Sequence, residues 1–170
     1  FTTLDFTIRV LDVDESDVSA VSDLNDNADE VAENAANGTL VGITAYAFDA
    51  DGSTNEVTYS LDDNAGGRFA IDVTSGVLTV ADSTLLDYES STSHTVAVRA
   101  TSVDGSFATR TFAINLLDVD ESDISAISDV DGNANEVAEN AANGTVVGIT
   151  AYAFDADGTM NEVSYSLDDN

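Results

Sequence analysis

Apolar and polar residues alternate in short runs along this chain, and turn signals separate the runs. Alternation places every second side chain on the same face of a β-strand. The strongest runs are residues 95–100 and 107–117, and further runs cover residues 30–33, 39–46, 57–61, 69–73 and 77–80. No stretch has a helical period, although residues 83–88 suit a single turn. The pattern predicts an all-β domain, a seven-strand Greek-key sandwich.

The whole pattern repeats along the chain. Leu11 recurs as Leu117, 106 residues later, and the 54 residues from each of these points differ at only ten positions. A period of this length is one domain rather than one turn of a solenoid. The expected order is the last strand of a preceding repeat (1–11), a linker (12–17), a complete repeat (18–117), a second linker (118–123) and the N-terminal half of the next repeat (124–170).

Composition narrows the classes of partner. The formal net charge is −29, with 33 acidic residues against four Lys and Arg. Such a chain repels nucleic acid and anionic lipid, and no apolar run is long enough to enter a membrane. There is no cysteine, so disulfides are excluded, and bound metal is a candidate for stabilising an extracellular module. The acids alone leave two alternatives open: a solubilising surface that protects sheet edges, or ligands for divalent cations.

The acidic residues are grouped in loops. Asp49 and Asp51 share one loop, and Asp87 and Glu89 share another. Calcium prefers about six to eight oxygen ligands, and two carboxylates from one bent loop can face one ion. An EF-hand is rejected, because Gly52 is the fourth residue of the first loop instead of the sixth. Residues 129–132 fail the same test and are interpreted as a solvated loop, with a further ion as the less favoured alternative.

Five motifs in order resemble a cadherin repeat, of the kind found in large bacterial surface proteins. The matching segments are Val31 to Thr39, Phe48 to Gly52 with Asn55, Phe69 to Leu78, Leu86 to Glu89, and Leu117 to Glu121. The resemblance implies a cadherin- or immunoglobulin-like sandwich at the cell surface or outside the cell, with Ca²⁺ bound between neighbouring repeats.

The resemblance also implies ligands at two junctions. At the complete junction they are Glu33, Asp87, Glu89, Asp118, Asp120, Glu121, Asp155, Asp157 and Asn161. At the earlier junction they are Asp12, Asp14, Glu15, Asp49, Asp51 and Asn55. Ser102 departs from the family pattern, which often has an aspartate at this place, and Asp104 follows two residues later as an alternative that is not included in the set. This departure implies that one cation is weakened or missing.

The function predicted from the sequence is a calcium-stiffened extracellular stalk repeat that acts in adhesion. Its expected partners are neighbouring repeats of the same protein, with self-association, either homophilic or by strand complementation, and glycan binding as further possibilities. The alternative is a carbohydrate-binding module of a secreted polysaccharide-associated protein, which the absence of Trp disfavours. An enzyme is not expected: His94 is the only histidine, and Asp87 with Glu89 suits a cation better than a glycosidase pair.

Residues 123–170 correspond only to the first strands of a repeat. Such a segment lacks the strands that would cover its apolar face. We therefore expect another chain to supply the missing strands.

Overall fold

The computed structural model describes residues 1–11, 13–51, 53 and 55–168. The chain divides into two compact units, Phe1–Leu117 and Asp118–Asn170. Each unit is described by itself below.

Two four-stranded sheets form the first unit. Its strands are β1 (Ser22–Asp23), β2 (Glu30–Ala32), β3 (Leu40–Tyr46), β4 (Val57–Asp63), β5 (Phe69–Ile71), β6 (Val77–Val80), β7 (Ser93–Ser102) and β8 (Phe107–Leu117). The strand order is β1-β3-β6-β5 in one sheet and β2-β8-β7-β4 in the other. The all-β sandwich expected from the sequence is confirmed.

The beginning of the repeat contributes to both sheets. β1 pairs antiparallel with β3, whereas β2 pairs parallel with β8 and places Val31 opposite Leu116. The sequence predicts only the second of these segments, because Ser22–Asp23 is too short to show alternation. Residues Ser83–Leu85 form a 3-10 turn, in agreement with the single turn expected there.

The core lies between the inner faces of the two sheets. Val96, Val98 and Ile114 of one sheet and Val41 and Leu78 of the other are completely buried. These residues occupy the alternate positions of their strands, because a strand directs successive side chains to opposite faces. The loops at the ends of the sandwich are therefore free to carry polar side chains.

Residues 1–11 form no strand in the structure, and their apolar side chains are exposed, as Phe6 (82%) and Ile8 (86%) illustrate. Their assignment as the last strand of a preceding repeat stays a prediction. The same holds for the boundaries of the linkers and of the partial repeat.

The second unit begins with the same strand pairing as the first, but its apolar side chains are left exposed. β9 (Ser128–Asp129) pairs antiparallel with β10 (Ala151–Tyr152). Val147 and Ile149 are 41% and 57% exposed, whereas Val41 and Ile43, one period earlier, are 0% and 1% exposed. The strands that cover these positions in the first unit have no counterpart among the described residues of the second. That another chain covers them stays a prediction.

Candidate metal centre

Three carboxylates converge near the beginning of the first unit. Asp14, Asp51 and Asp104 each place one carboxylate oxygen within 4.8 Å of the others. Asp51 is buried, Asp104 is half-buried and Asp14 is exposed. Carboxylates repel one another at this distance unless a proton or a cation lies among them.

Asp51 connects the loop after β3 to the linker. The backbone N–H groups of Glu15 and Ser16 donate to its Oδ1 and Oδ2, at 3.1 and 3.4 Å. Its own N–H donates to Oδ1 of Asp49 at 3.1 Å, which bends the loop. Asp51 therefore holds two segments together through a carboxylate that is 4% exposed.

Asp49 is fixed on its other side by Ser102, at the end of β7. The Ser102 hydroxyl donates to Oδ2 of Asp49 at 2.5 Å, and the two residues are 4% and 7% exposed. This hydroxyl positions Asp49 but brings no charge of its own to the group.

Asp104 lies outside the set of ligands expected from the sequence, yet the structure brings it into the group. It stands in the hairpin between β7 and β8, where the N–H of Gly105 donates to Ser102 O at 3.0 Å and the N–H of Ser102 donates to Ser106 O at 2.9 Å. The N–H of Val18 donates to the Ser106 hydroxyl at 3.0 Å, so the hairpin is bonded to the residue that directly follows the linker.

A sequence signal for this placement exists. Asp104-Gly105 is a turn dipeptide between the two strongest predicted strands. β4 pairs antiparallel with β7 and places Val57 opposite Ser102. The turn therefore lies at the same end of the sheet as the loop that precedes β4, which carries Asp49 and Asp51.

The carboxyls of this group change one another's pKa values. A hydrogen bond to Asp51 raises the pKa of Asp14 to about 6, and desolvation and the charges of Asp104 and Asp51 act in the same direction. The pKa of Asp51 is lowered, first by the hydrogen bond from the N–H of Glu15 and then by the one to Asp14. Without a cation, Asp14 is thus the carboxyl of this pair that takes up a proton first.

A second acidic pair lies at the opposite end of the repeat. Glu33, which follows β2, is 1% exposed, and its Oε2 accepts a hydrogen bond from the N–H of Tyr88 at 2.6 Å. Its own N–H donates to Leu117 O at 3.1 Å. One carboxylate oxygen of Glu33 lies within 4.8 Å of one from Glu89. The structure therefore brings together two of the three ligands expected from this repeat.

The third, Asp87, has its oxygens engaged by Ser90. Oδ1 accepts from the Ser90 N–H at 2.9 Å, and Oδ2 accepts from the Ser90 hydroxyl at 2.7 Å. The hydroxyl bond and then the N–H bond lower the pKa of Asp87. Asn55 is exposed, and Asp12 lies outside the described residues. Ligand roles for these three residues, as for the rest of the expected set, stay predictions.

The second unit repeats the arrangement of the first linker. Asp157 is 3% exposed and accepts from the N–H groups of Glu121 and Ser122, at 3.1 and 3.3 Å. Its own N–H donates to Oδ1 of Asp155 at 3.3 Å. A hydrogen bond to Asp157 raises the pKa of Asp120. The same contacts thus occur twice in the chain, one period apart.

Asp118 and Asn161 also belong to this unit. Oδ2 of Asp118 accepts from the N–H of Thr159 at 2.6 Å and also from its hydroxyl. The side-chain amide of Asn161 donates to Gly158 O at 3.2 Å, which leaves its carbonyl oxygen available as a metal ligand. The loop of the second unit therefore carries oxygen donors close to the linker that begins it.

These donors fit a hard divalent cation. They are carboxylates, with the side-chain amide oxygen of Asn161 in addition, and Ca²⁺ prefers such oxygens. The sequence has no cysteine that would favour a softer metal. Oδ2 of Asp104 and Oδ1 of Asp118 are buried and, among the described residues, have no hydrogen-bond partner. A buried carboxylate oxygen without a donor is costly, and a cation would satisfy it.

His94 is buried in part beside Phe69, with ring centroids 6.4 Å apart. Burial lowers the pKa of His94, and the charge of Arg68 lowers it further. Within the part of the chain that the structure describes, no helix has the length and apolar character needed to cross a bilayer.

Comparison with known proteins gives consistent similarities. The family described as "Cadherin domain" matches residues 28–117. Protocadherin alpha-2 of Pan troglodytes is 31% identical over 97% of this chain and 17% of its own length, and Protein dachsous of Drosophila melanogaster is 46% identical over 48% of this chain and 2% of its own. A crystal structure of mouse cadherin-23 EC22-24 is 26% identical with a TM-score of 0.62, over 87% of this chain and 46% of that one.

The chain spans less than a fifth of the length of these curated relatives. They are animal proteins, so they support the repeat type but not the bacterial setting suggested by the sequence. They do not favour the carbohydrate-binding alternative either.

Proposed function

Because the chain belongs to the cadherin family, whose members are extracellular or cell-surface adhesion proteins, we propose that it is a calcium-stiffened stalk segment that acts in adhesion. The family is one of adhesion domains rather than enzymes, and no catalytic role is proposed. The principal partners are the neighbouring repeats of the same protein, and homophilic association is a further expected role.

One observation carries this proposal: the same carboxyl pair occurs at both linkers. A hydrogen bond between the carboxyls of Asp14 and Asp51 raises the pKa of Asp14, and one between Asp120 and Asp157 raises the pKa of Asp120. In each case the second aspartate is buried and also binds backbone N–H groups of the linker. A surface that only needed charge for solubility would have no reason to bury one carboxylate, that of Asp51 or Asp157, beside a second one.

We assign the ligands as the sequence predicts them. Those of the complete junction are Glu33, Asp87, Glu89, Asp118, Asp120, Glu121, Asp155, Asp157 and Asn161, and those of the earlier junction are Asp12, Asp14, Glu15, Asp49, Asp51 and Asn55. Bound calcium supplies the positive charge that cancels the repulsion among these groups. Without it, the carboxylates favour separation of linker and loop.

The calcium affinity expected of such sites determines whether they are occupied inside or outside the cell. Extracellular calcium modules bind at about 10⁻⁴ to 10⁻³ M, so extracellular fluid fills them and cytosol does not. The linkers are then held rigid only outside the cell, which suits a stalk that extends after export.

Limited proteolysis with an Asp- or Glu-specific protease tests the proposal, because residues 118–123 offer several acidic cleavage sites. Calcium at about 1–2 mM should protect this linker and raise the melting temperature of the chain, and a chelator should reverse both effects. Native mass spectrometry should count the bound ions. A chain that binds no calcium, or that is cleaved equally fast with and without it, would contradict the proposal.

A further inference from the structure

We propose that the Asn-Gly pair in the turn before β3 is a site of spontaneous deamidation, and that the closed sandwich protects it from this modification. The chain contains the pair twice, as Asn37-Gly38 and as Asn143-Gly144, each time within the same five residues Ala-Ala-Asn-Gly-Thr. Hydrogen bonds from the rest of the repeat hold the first pair, which should react slowly. The second pair lacks these bonds among the described residues and should react faster.

The reaction uses only the chain and water. The backbone nitrogen of the glycine loses its proton and attacks Cγ of the asparagine side chain. A new N–C bond forms, and the bond from Cγ to the amide nitrogen breaks, so that ammonia leaves. Water then opens the cyclic imide at one of its two carbonyls and gives aspartate or isoaspartate. Glycine favours the attack because it has no Cβ to restrict the backbone.

The two turns have the same local structure. Gly38 and Gly144 have φ angles of +90° and +88°. In both turns the residue after the glycine donates its N–H to the carbonyl of the residue before the asparagine, at 3.0 and 3.1 Å. Asn37 and Asn143 are both exposed. Local sequence, backbone conformation and exposure class therefore do not distinguish the two sites.

Tertiary hydrogen bonds distinguish them. The N–H of Gly38, whose nitrogen must attack, donates to Val80 O at the end of β6 at 2.8 Å. Oδ1 of Asn37 accepts from the N–H of Ser83 at 2.8 Å. Both reacting groups of the first turn are thus held by the strand and the 3-10 turn that follow. Neither reacting group of the second turn forms such a bond within the part of the chain that the structure describes.

These bonds should slow the reaction about tenfold or more, because both must break before the nitrogen can reach Cγ. The product also fits the closed repeat poorly. Isoaspartate adds a carbon to the backbone of the turn, whereas the Gly38 N–H and Thr39 O are both bonded to Val80, at 2.8 and 2.9 Å. A repeat that reacts while it is open should therefore be unable to close in the same way.

The test incubates the full chain at mildly alkaline pH and follows both sites by peptide mapping. Cleavage after Glu33 and Glu139 by a Glu-specific protease gives two peptides of different mass. In the folded chain Asn37 should deamidate at least about tenfold more slowly than Asn143, and in denaturant the two rates should be equal. Asn34, which precedes alanine, is the control and should react more slowly than Asn37 in denaturant. Equal rates at the two Asn-Gly pairs in the folded chain would overturn the inference.

Ser83→Pro tests the protecting bond itself. Ser83 begins the 3-10 turn, and Asp82 before it is extended, with φ −138° and ψ 103°, a conformation that a following proline favours. The variant removes the N–H that holds Asn37, so Asn37 should deamidate about threefold faster or more while Asn143 keeps its rate. Circular dichroism checks that the variant is folded, and an unchanged rate at Asn37 in the folded variant would contradict the protecting role of this bond. The comparison within the unchanged chain stands whether or not the variant folds.

Discussion

Oε2 of Glu33 accepts a 2.6 Å hydrogen bond from the backbone N–H of Tyr88, a residue 55 positions later in the chain. Glu33 is 1% exposed, so this bond connects the end of β2 to the loop after the 3-10 turn inside the protein. The same side chain is a proposed calcium ligand. Its structural and metal-binding roles can be separated by substitution.

Glu33→Ala in chelator should lower the free energy of unfolding by about 1–3 kcal/mol, because the half-buried N–H of Tyr88 loses its acceptor. Glu33→Gln keeps an acceptor oxygen and should lose less. Chemical denaturation followed by circular dichroism measures both changes. Glu30→Ala, at an exposed position of β2 three residues earlier, is the control and should stay within about 0.5 kcal/mol. An equal loss in Glu33→Ala and Glu30→Ala would contradict the structural role.

Tyr59→Phe should cost about 1–2 kcal/mol of stability and also weaken calcium binding. The buried Tyr59 hydroxyl accepts from the Ala47 N–H at 3.0 Å and contacts Ala47 O at 3.4 Å, two residues before Asp49. Loss of these bonds leaves buried backbone groups unsatisfied and loosens the metal loop. Calorimetric calcium titration and thermal melts give the two readouts. Tyr46→Phe, at a position that is 41% exposed, should change neither, and an equal effect in both variants would refute the prediction.

Gly76→Ala should destabilise the first unit by more than about 2 kcal/mol, since both backbone conformation and space exclude a side chain. Gly76 has a φ of +70°, and an added Cβ would lie 2.2 Å from Ala45 O. Gly38 has a φ of +90° with nothing within 4 Å of its Cβ position, so Gly38→Ala should cost only the strain of about 1–2 kcal/mol. Denaturant melts of the two variants compare these costs. Similar losses would show that the close contact at Gly76 relaxes.

The lowered pKa of His94 predicts that the free energy of unfolding decreases as the pH falls. Its pKa is lowered in the folded protein, first by burial and then by Arg68, so the unfolded chain takes up the proton first as the pH falls below about 6.5. Stability contributed by neutral His94 should be lost through that window. His94→Gln does not titrate, and the difference in unfolding free energy between the two chains, measured in saturating calcium from pH 7.5 to 5, isolates the effect. A difference that stays constant with pH would contradict it.

The alternation of apolar positions was sufficient to predict the strands that form the core. Val96 and Val98 share a buried face, because a strand directs alternate side chains to the same side of the sheet. β1 was not predicted, because its two residues, Ser22 and Asp23, are too few to show alternation. They are a strand only through their pairing with β3.

The site was predictable only in part, for a similar reason. Asp14 and Asp51 stand in recognisable motifs, and the structure brings their carboxyls together. Asp104 depends on how a hairpin folds back towards the linker, through bonds such as that from Val18 to Ser106. The Asp104-Gly105 dipeptide signals the turn, but bonds between residues this far apart in sequence leave no local pattern that shows what the turn contacts. Asp87 is a similar case. Its motif predicts a carboxylate ligand, but the motif does not show that Ser90 already donates hydrogen bonds to both of its oxygens.

The parallel pairing of β2 with β8 has a mechanical consequence. The N–H of Asn115 donates to Asp29 O at 2.9 Å and that of Glu33 donates to Leu117 O at 3.1 Å, at the two ends of this short ladder. When a repeat is stretched by its two ends, parallel neighbours are loaded in shear, and these bonds share the force instead of opening one after another. Tension applied to the two ends of this repeat should therefore be resisted first at the place where the repeat begins and ends.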